Sequence, residues 1–133
     1  MTETEFWAEV VRRLEALPEK KLLARRYYKR GCVCAVGAWY GETRAKELEK
    51  QYGGFLTYRF EEDADLATQL DHLQIINDEF VGGPEARYAY VVRIARRLMD
   101  HPTPRKVYEM IRAVPHSKRG PMLLHFAKTG ELE

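Results

Sequence analysis

The sequence predicts an all-α fold: one domain over residues 1–133, a compact bundle of about five to seven helices. Three observations favour this fold. Apolar residues recur at helical spacing along most of the chain, and cap residues, glycines and prolines separate these stretches. Residues 55–60 alone have the character of a strand, which gives at most one short β-hairpin arm. A chain of 133 residues with an apolar fraction of 45% can bury a core without disulfides or a structural metal.

Two helices are predicted before Gly31. The first follows the capping box Thr2-x-x-Glu5 and runs to about Ala16. The second begins at Pro18, a residue suited to the first turn of a helix, and stops at Gly31. The apolar positions of both follow helical spacing, so each helix has one face for the core. These positions are Phe6, Val10, Leu14 and Leu17 in the first helix, and Leu22, Leu23 and Tyr27 in the second.

The centre of the core is predicted at residues 31–39, a run without a charged residue in a chain that is 32% charged. Its small side chains would let neighbouring backbones approach closely. A third helix is expected to start near Val33 and to reach about Lys50. Its outer end, residues 42–50, has the pattern of a solvated ladder of charges. Residues 73–78 are the expected packing partner of the central run.

Four more helices are predicted after residue 60, each marked by a cap residue or a proline. Asp63 caps the first, the break at Gly82-Gly83-Pro84 opens the second, and Thr103-Pro104 opens the third. A short final helix is expected over residues 121–129. The first of these helices has one clear apolar face, which is formed by Leu66, Leu70, Leu73 and Ile76.

Composition and spacing exclude several classes of protein. No stretch approaches the roughly 18 apolar residues that cross a bilayer, and residues 1–5 have neither the basic nor the apolar region of a signal peptide. We therefore expect a cytoplasmic protein with reduced thiols and no membrane partner. The Cys-x-Cys pair has no second cluster at ligand spacing, and no two histidines lie three to five residues apart. No metal or other cofactor is expected, and the sequence leaves the oligomeric state open.

A basic stretch over residues 20–30 contains six cationic residues among eleven. On a helix these cations would form two neighbouring lines able to track phosphates or another anionic partner, with a tyrosine available for stacking. Arginines of a later helix could extend this strip. The competing interpretation is a solvated helix face. The residues of the strip are Lys21, Arg25 and Lys29 in one line, Arg26 and Arg30 in the next, and Arg93, Arg96 and Arg97 in the extension.

Cys32 and Cys34 lie at the predicted start of the third helix, where the free amides of a helix terminus favour a thiolate. A cysteine-dependent hydrolase or transferase would combine such a thiol with His72, Asn77 and Asp78. The competing interpretation makes Cys34 a small core residue and His72 a residue at the boundary of the core. Under that interpretation a helix ends just before Asn77, whose side chain satisfies buried backbone groups at the corner.

Three segments carry a resemblance: Cys34-Ala35-Val36-Gly37-Ala38, Leu73-x-x-Ile76-Asn77-Asp78 and Tyr90-x-x-x-Ile94-Ala95. Together they resemble a group of small uncharacterised bacterial and phage proteins, which pair a Cys-x-x-Gly-Ala helix start with a downstream Asn-Asp. The resemblance covers residues 31–97. The chain departs from the pattern at Trp39 and in the basic helix that follows Pro84. The resemblance implies a compact helical fold and brings no established activity with it.

The function expected from the sequence is that of a small non-enzymatic binding module. Charge is segregated, since residues 1–31, 32–83 and 84–133 carry net charges of +3, −6 and +5. Aromatic residues are abundant and no complete catalytic set is visible. The expected partner is a protein, as it is for small phage or mobile-element proteins that inhibit host machinery. Nucleic-acid binding through the basic helices is the first alternative, and a cysteine-dependent enzyme is the second.

Overall fold

The computed structural model describes residues 1–52 and 61–132, which hold seven helices and one two-stranded antiparallel hairpin. The predicted all-α fold is confirmed. The arm predicted at residues 55–60 lies outside the described residues. In chain order the elements are α1 (Glu3–Glu15), β1 (Tyr28–Lys29), β2 (Cys32–Val33), α2 (Ala35–Tyr40), α3 (Glu42–Tyr52), α4 (Ala64–Glu79), α5 (Pro84–Met99), α6 (Pro104–Ala113) and α7 (His116–Thr129).

Helix α1 begins at the predicted capping box. Thr2 Oγ1 accepts a hydrogen bond from Glu5 N at 3.2 Å, and Glu5 Oε1 accepts one from Thr2 N at 3.1 Å. The apolar face of α1 packs chiefly against α5, and this pair forms the main helix contact of the core. The buried residues of α1 are Phe6, Trp7, Val10, Val11 and Leu14.

The helix predicted from Pro18 to Gly31 is wrong, because residues 17–34 contain no helix. Leu22 and Tyr27 produce the helical spacing, and both are fully buried, but an irregular backbone carries them. Helical spacing predicts a helix only where the backbone groups bond within the segment. Here those groups find partners elsewhere in the protein, as described below.

A β-hairpin occupies the end of this irregular stretch. Its two-residue turn consists of Arg30 and Gly31, whose φ angles are 50° and 85°. Two consecutive residues with positive φ are what the favoured two-residue hairpin turn requires. The paired residues are Tyr28 with Val33 and Lys29 with Cys32.

The third predicted helix is present but divided at Gly41, whose φ of 90° separates α2 from α3. Helix α2 follows Cys34, whose Sγ accepts a hydrogen bond from Gly37 N at 3.3 Å. A Cβ added at Gly37 would lie 2.5 Å from Tyr27 O, so the approach of these backbones requires glycine. Residues 34–39 are all buried, as the charge-free run predicts.

The remaining helices begin close to their sequence signals. Asp63 caps α4, while Pro84 and Pro104 are the first residues of α5 and α6. Helix α7 is longer than predicted, since it begins at His116 and contains Pro121. Pro121 has no N–H, and so one hydrogen bond is missing inside α7. No helix within the described residues is long and apolar enough to cross a membrane.

His72 is a core residue, so its predicted place at the boundary of the core is wrong. The side chain is 2% exposed and lies between Trp7 of α1 and Tyr108 of α6, with ring centroids 5.0 and 5.2 Å away. Neighbouring positions on a helix point about 100° apart. Because α4 is covered by other helices on more than one side, both His72 and Leu73 are buried. Burial lowers the pKa of His72 to about 3.

We expect the free energy of unfolding to fall as the pH drops below about 6.5, the ordinary pKa of histidine. Below that pH the unfolded chain binds a proton at His72, while the folded chain does not until about pH 3, so acid favours unfolding. Each pH unit in this window should cost about 1.4 kcal/mol. Urea unfolding measures the free energy of unfolding between pH 6.5 and about 5, a range above the pH at which most carboxylates titrate. In this range the His72→Leu variant should no longer lose stability as the pH falls.

The matched control is His125→Leu, at an exposed position of α7. The free energy of unfolding of this variant should fall with pH as it does in the parent protein. A His72→Leu protein that loses stability with acid as steeply as the parent would show that the imidazole is not held neutral in the folded state.

Candidate interaction surface

The basic segment, defined as residues 20–30, crosses the surface from the end of α1 to α3 without being helical. Leu22 N donates to Pro84 O at the start of α5, over 3.0 Å. Arg25 N donates to Asp78 Oδ1 at the end of α4, over 2.9 Å. Its last part forms β1, which packs against α3. The segment is thus attached to three helices that come from different parts of the chain.

Asn77 joins the basic segment to the start of α2. Its side chain is 1% exposed, its Oδ1 accepts from Ala35 N at 3.1 Å, and its Nδ2 donates to Leu23 O at 2.8 Å. The same Nδ2 lies 2.9 Å from Asp78 Oδ1. The predicted bonds from Asn77 to buried backbone groups are present, although α4 continues past this residue to Glu79. One amide therefore satisfies a donor and an acceptor from two separate parts of the chain.

Glu49 of α3 holds the next part of the segment. Its Oε1 accepts from Tyr27 N at 2.8 Å and from Tyr28 N at 3.3 Å. The side chain is only 16% exposed, so Glu49 does not belong to the solvated ladder of charges predicted for residues 42–50. Bonds from amides to a carboxylate are stronger than bonds between neutral groups. Glu49 therefore holds the backbone where the first strand of the hairpin begins.

Arg87 of α5 links the connection between α4 and α5 to the basic segment through hydrogen bonds. The residue is 6% exposed, and burial lowers the pKa of its guanidinium, against the opposing charge of Asp78. The burial of Arg87 is not predicted from the sequence, although this residue lies three and four residues before apolar positions of α5. The guanidinium donates to four backbone carbonyls: Asn77 O at 3.0 Å, Leu22 O at 3.3 Å, Phe80 O at 3.2 Å and Gly82 O at 3.3 Å.

Four of the six cations of the basic segment make no ion pair with any residue that the structure describes. Lys20 donates to two backbone carbonyls instead, whereas the exposed side chains of Arg25, Lys29 and Arg30 have no partner among the described residues. Arg25 and Arg30 also have left-handed backbone, with φ angles of 59° and 50°. This conformation is costly for a residue with a Cβ. The hydrogen bond to Asp78 holds this conformation at Arg25, and the hairpin turn imposes it at Arg30.

The predicted arrangement of the cations in two helical lines is wrong, because the segment is not a helix. Lys21 and Arg26 differ from the other cations in that each approaches a carboxylate. Lys21 Nζ lies 3.9 Å from Glu85 Oε1, and Arg26 Nη2 lies 3.4 Å from Glu49 Oε2. The positive charge of the segment is therefore least compensated toward the hairpin.

The tyrosines of the segment do not form the predicted stacking platform. Tyr27 is fully buried. Tyr28 is half-buried, and Lys46 Nζ lies 5.2 Å from the centroid of its ring. Tyr27 is therefore not available for stacking on a base, and one face of the Tyr28 ring is approached by Lys46.

The arginines of α5 extend the basic surface only in part. Arg96 Nη2 lies 2.7 Å from Glu15 Oε2 at the end of α1, close to Lys20, whose Nζ donates to Glu15 O. All three arginines line a cavity toward the end of α7. Only Arg96 also contacts α1 close to the basic segment, so the predicted extension of the basic surface is formed by Arg96 alone.

The residues of the predicted cysteine site do not form a catalytic arrangement. Cys34 is fully buried, and burial raises the pKa of its thiol to about 12, so it is not a nucleophile at neutral pH. Cys32 is half-buried, His72 contacts aromatic rings in the core, and Asn77 and Asp78 are committed to backbone bonds. In the part of the chain that the structure describes, no group of three His, Cys, Asp or Glu residues could hold a metal ion.

Asn77→Ala should lower the free energy of unfolding by about 1–3 kcal/mol, because one buried and one partly buried backbone group lose their hydrogen-bond partner. These groups are the N–H of Ala35 and the C=O of Leu23. Thermal unfolding followed by circular dichroism measures the loss. Gln69→Ala, at a half-buried position of the same helix, is the control and should change stability by about 0.5 kcal/mol or less. An Asn77→Ala protein as stable as the parent would contradict the bracing role.

Comparison with known proteins does not assign this chain to a family. No protein-family model matches the chain, and neither a curated protein nor a solved structure matches it. The resemblance of residues 31–97 to small bacterial and phage proteins stays a prediction. The function is therefore argued from the interactions of the basic segment.

Proposed function

We propose that this protein is a non-enzymatic binding module that contacts an acidic surface of a protein partner through the basic segment. The observation that carries the proposal is the placement of Arg25, Lys29 and Arg30. Their side chains are exposed and have no carboxylate partner among the described residues. The backbone that carries them is held by hydrogen bonds with the side chains of Glu49, Asn77 and Arg87. Arginine is one of the residues that dominate the energetics of protein interfaces.

The bracing of the segment supports a role in binding. A segment that is already ordered loses little conformational entropy when it meets its partner. Asn77, Glu49 and Arg87 supply that order here. The left-handed backbone at Arg25 and Arg30 agrees with this role, since such costly conformations cluster at functional sites.

The surroundings of the segment favour a protein partner over a nucleic acid. Glu19 and Glu85 line a surface cavity of about 540 Å³ together with Lys20 and Lys21. Carboxylates among the cations would repel a chain of phosphates, whereas a protein surface can match both charges. Val81 is 96% exposed in the connection that Arg87 links to Leu22 of the segment, and it offers an apolar contact to a protein surface.

Nucleic-acid binding is the second candidate, and Arg25, Lys29 and Arg30, which have no carboxylate partner among the described residues, favour it. Retention on DNA or RNA would fall steeply between about 50 and 200 mM salt, as counterion release requires. Both candidates are proposed for the cytoplasm, where the two free thiols of Cys32 and Cys34 would stay reduced.

The proposal predicts the behaviour of the double variant Arg25→Glu, Arg30→Glu in recovery of partners from the source cell. The parent protein should retain a protein partner after nuclease treatment, and the double variant should lose it. Circular dichroism should show the same helix content in both, since neither side chain bonds to any residue in the described part of the chain. Recovery is compared at about 50 and 200 mM salt.

The control variant Lys118→Glu, Lys128→Glu makes the same change in net charge at exposed positions of α7. It should retain the partner. Equal loss from both double variants would show that net charge alone governs retention, which would contradict a specific surface. Loss of the bound material on nuclease treatment would replace this proposal with nucleic-acid binding.

A further inference from the structure

Two adjoining surface cavities lie where the end of α5, the start of α6 and the end of α7 meet. Their volumes are about 410 and 560 Å³, and both are lined by His101, Gly130 and Glu131. We name their union the His101 groove. Sites for small molecules usually enclose about 300–1,000 Å³. The groove therefore has room for a small molecule, and its lining residues are distinct from the basic segment.

One half of the His101 groove has apolar residues beside polar and charged ones. Val107 and Met110 of α6 and Phe126 of α7 line it. Val107 and Phe126 belong to the core, whereas Met110 is 41% exposed. A partly exposed methionine provides an apolar contact that adapts to different shapes. This half therefore fits a hydrocarbon chain or ring.

The other half of the groove carries three arginines of α5, which are Arg93, Arg96 and Arg97. The guanidinium of Arg97 is fixed, since its Nε donates to Ala127 O at 3.3 Å and its Nη2 donates to Lys128 O at 2.9 Å. Arg93 is exposed and makes no ion pair with any described residue. Arg93 is thus available to a ligand.

The groove as a whole is positively charged. Lys106 adds to the three arginines, while Asp100 and Glu131 are the carboxylates among the lining residues. Neither carboxylate forms an ion pair within the described part of the chain. Arg96 is compensated from outside the groove, by Glu15 at 2.7 Å. With Arg96 compensated, three cations and two carboxylates remain, so the groove keeps one net positive charge, and the exposed Arg93 is the arginine that an anionic group can reach.

His101 lies where the two halves join. Its Nδ1 accepts a hydrogen bond from Thr103 N at 2.9 Å, so the neutral ring carries its proton on Nε2 and can donate to an oxygen. The centroid of the ring is 6.1 Å from that of Phe126. The groove therefore has a hydrogen-bond donor at the point where an apolar ligand body would meet its charged group.

We propose that the His101 groove binds an organic anion with an apolar body, such as a medium-chain or aromatic carboxylate. The carboxylate meets Arg93 and His101, and the apolar body covers Met110. An inorganic anion would leave the apolar lining residues uncovered, and a neutral hydrocarbon would leave the arginines without a partner. This site goes beyond the proposed contact with a protein and does not depend on it.

The fluorescence of 8-anilinonaphthalene-1-sulfonate, an aromatic sulfonate whose emission rises in apolar sites, tests the proposal on the folded protein. Its binding should be saturable. Decanoate should displace it, whereas sulfate and decanol at the same concentration should not. Arg93→Gln and Met110→Ser should each weaken the binding of decanoate about tenfold. Circular dichroism and thermal unfolding establish that each variant is folded.

Two matched variants control for surface charge and surface apolarity. Arg12→Gln removes an exposed arginine of α1, and Leu124→Ser removes a side chain that is 44% exposed, similar to Met110. Both should bind decanoate as the parent does. Emission that does not saturate, displacement by sulfate or decanol as effective as that by decanoate, or equal affinities in all four variants would each overturn the proposal.

Discussion

The hydrogen bonds of the Asn77 side chain are the interaction on which the rest of the structure depends. Residues 17–34 contain no helix, and polar backbone groups that are buried without partners are strongly unfavourable. Asn77 gives an acceptor to the N–H of Ala35 and a donor to the C=O of Leu23. Gly37 lets the same stretch approach α2 at a distance that no Cβ would permit. Together they hold the irregular backbone in place and leave its cations facing outward.

Much of the helical fold is predictable because its signals are local. The capping box at Thr2, the cap at Asp63 and the proline at Pro84 mark their helices correctly, since cap bonds join residues a few positions apart. The stretch from Pro18 to Gly31 has helical spacing as well, and there the same reasoning fails. Its backbone bonds to side chains reach 21 to 65 residues along the chain, and no local pattern shows them.

The candidate surface is predictable only in part for the same reason. Composition reveals the basic stretch, and the position of Asn77 at a helix corner indicates its bonds to buried backbone. Glu49 and Arg87 carry charges, and charged residues are mostly exposed, so their burial is not expected from the sequence. The burial of His72 is not expected from the sequence either. A neutral imidazole can be packed in a core once several helices cover it, and the sequence does not show which helices do so.

Native-state amide hydrogen exchange at Tyr27 and Ala35 tests the central claim most directly. Each N–H donates to a side chain from a distant element, Glu49 in the first case and Asn77 in the second. The account predicts that both amides exchange only through openings with a free energy close to that of global unfolding, as a core amide of α5 does. Exchange as fast as that of an exposed loop amide would contradict it, because the segment would then be open most of the time.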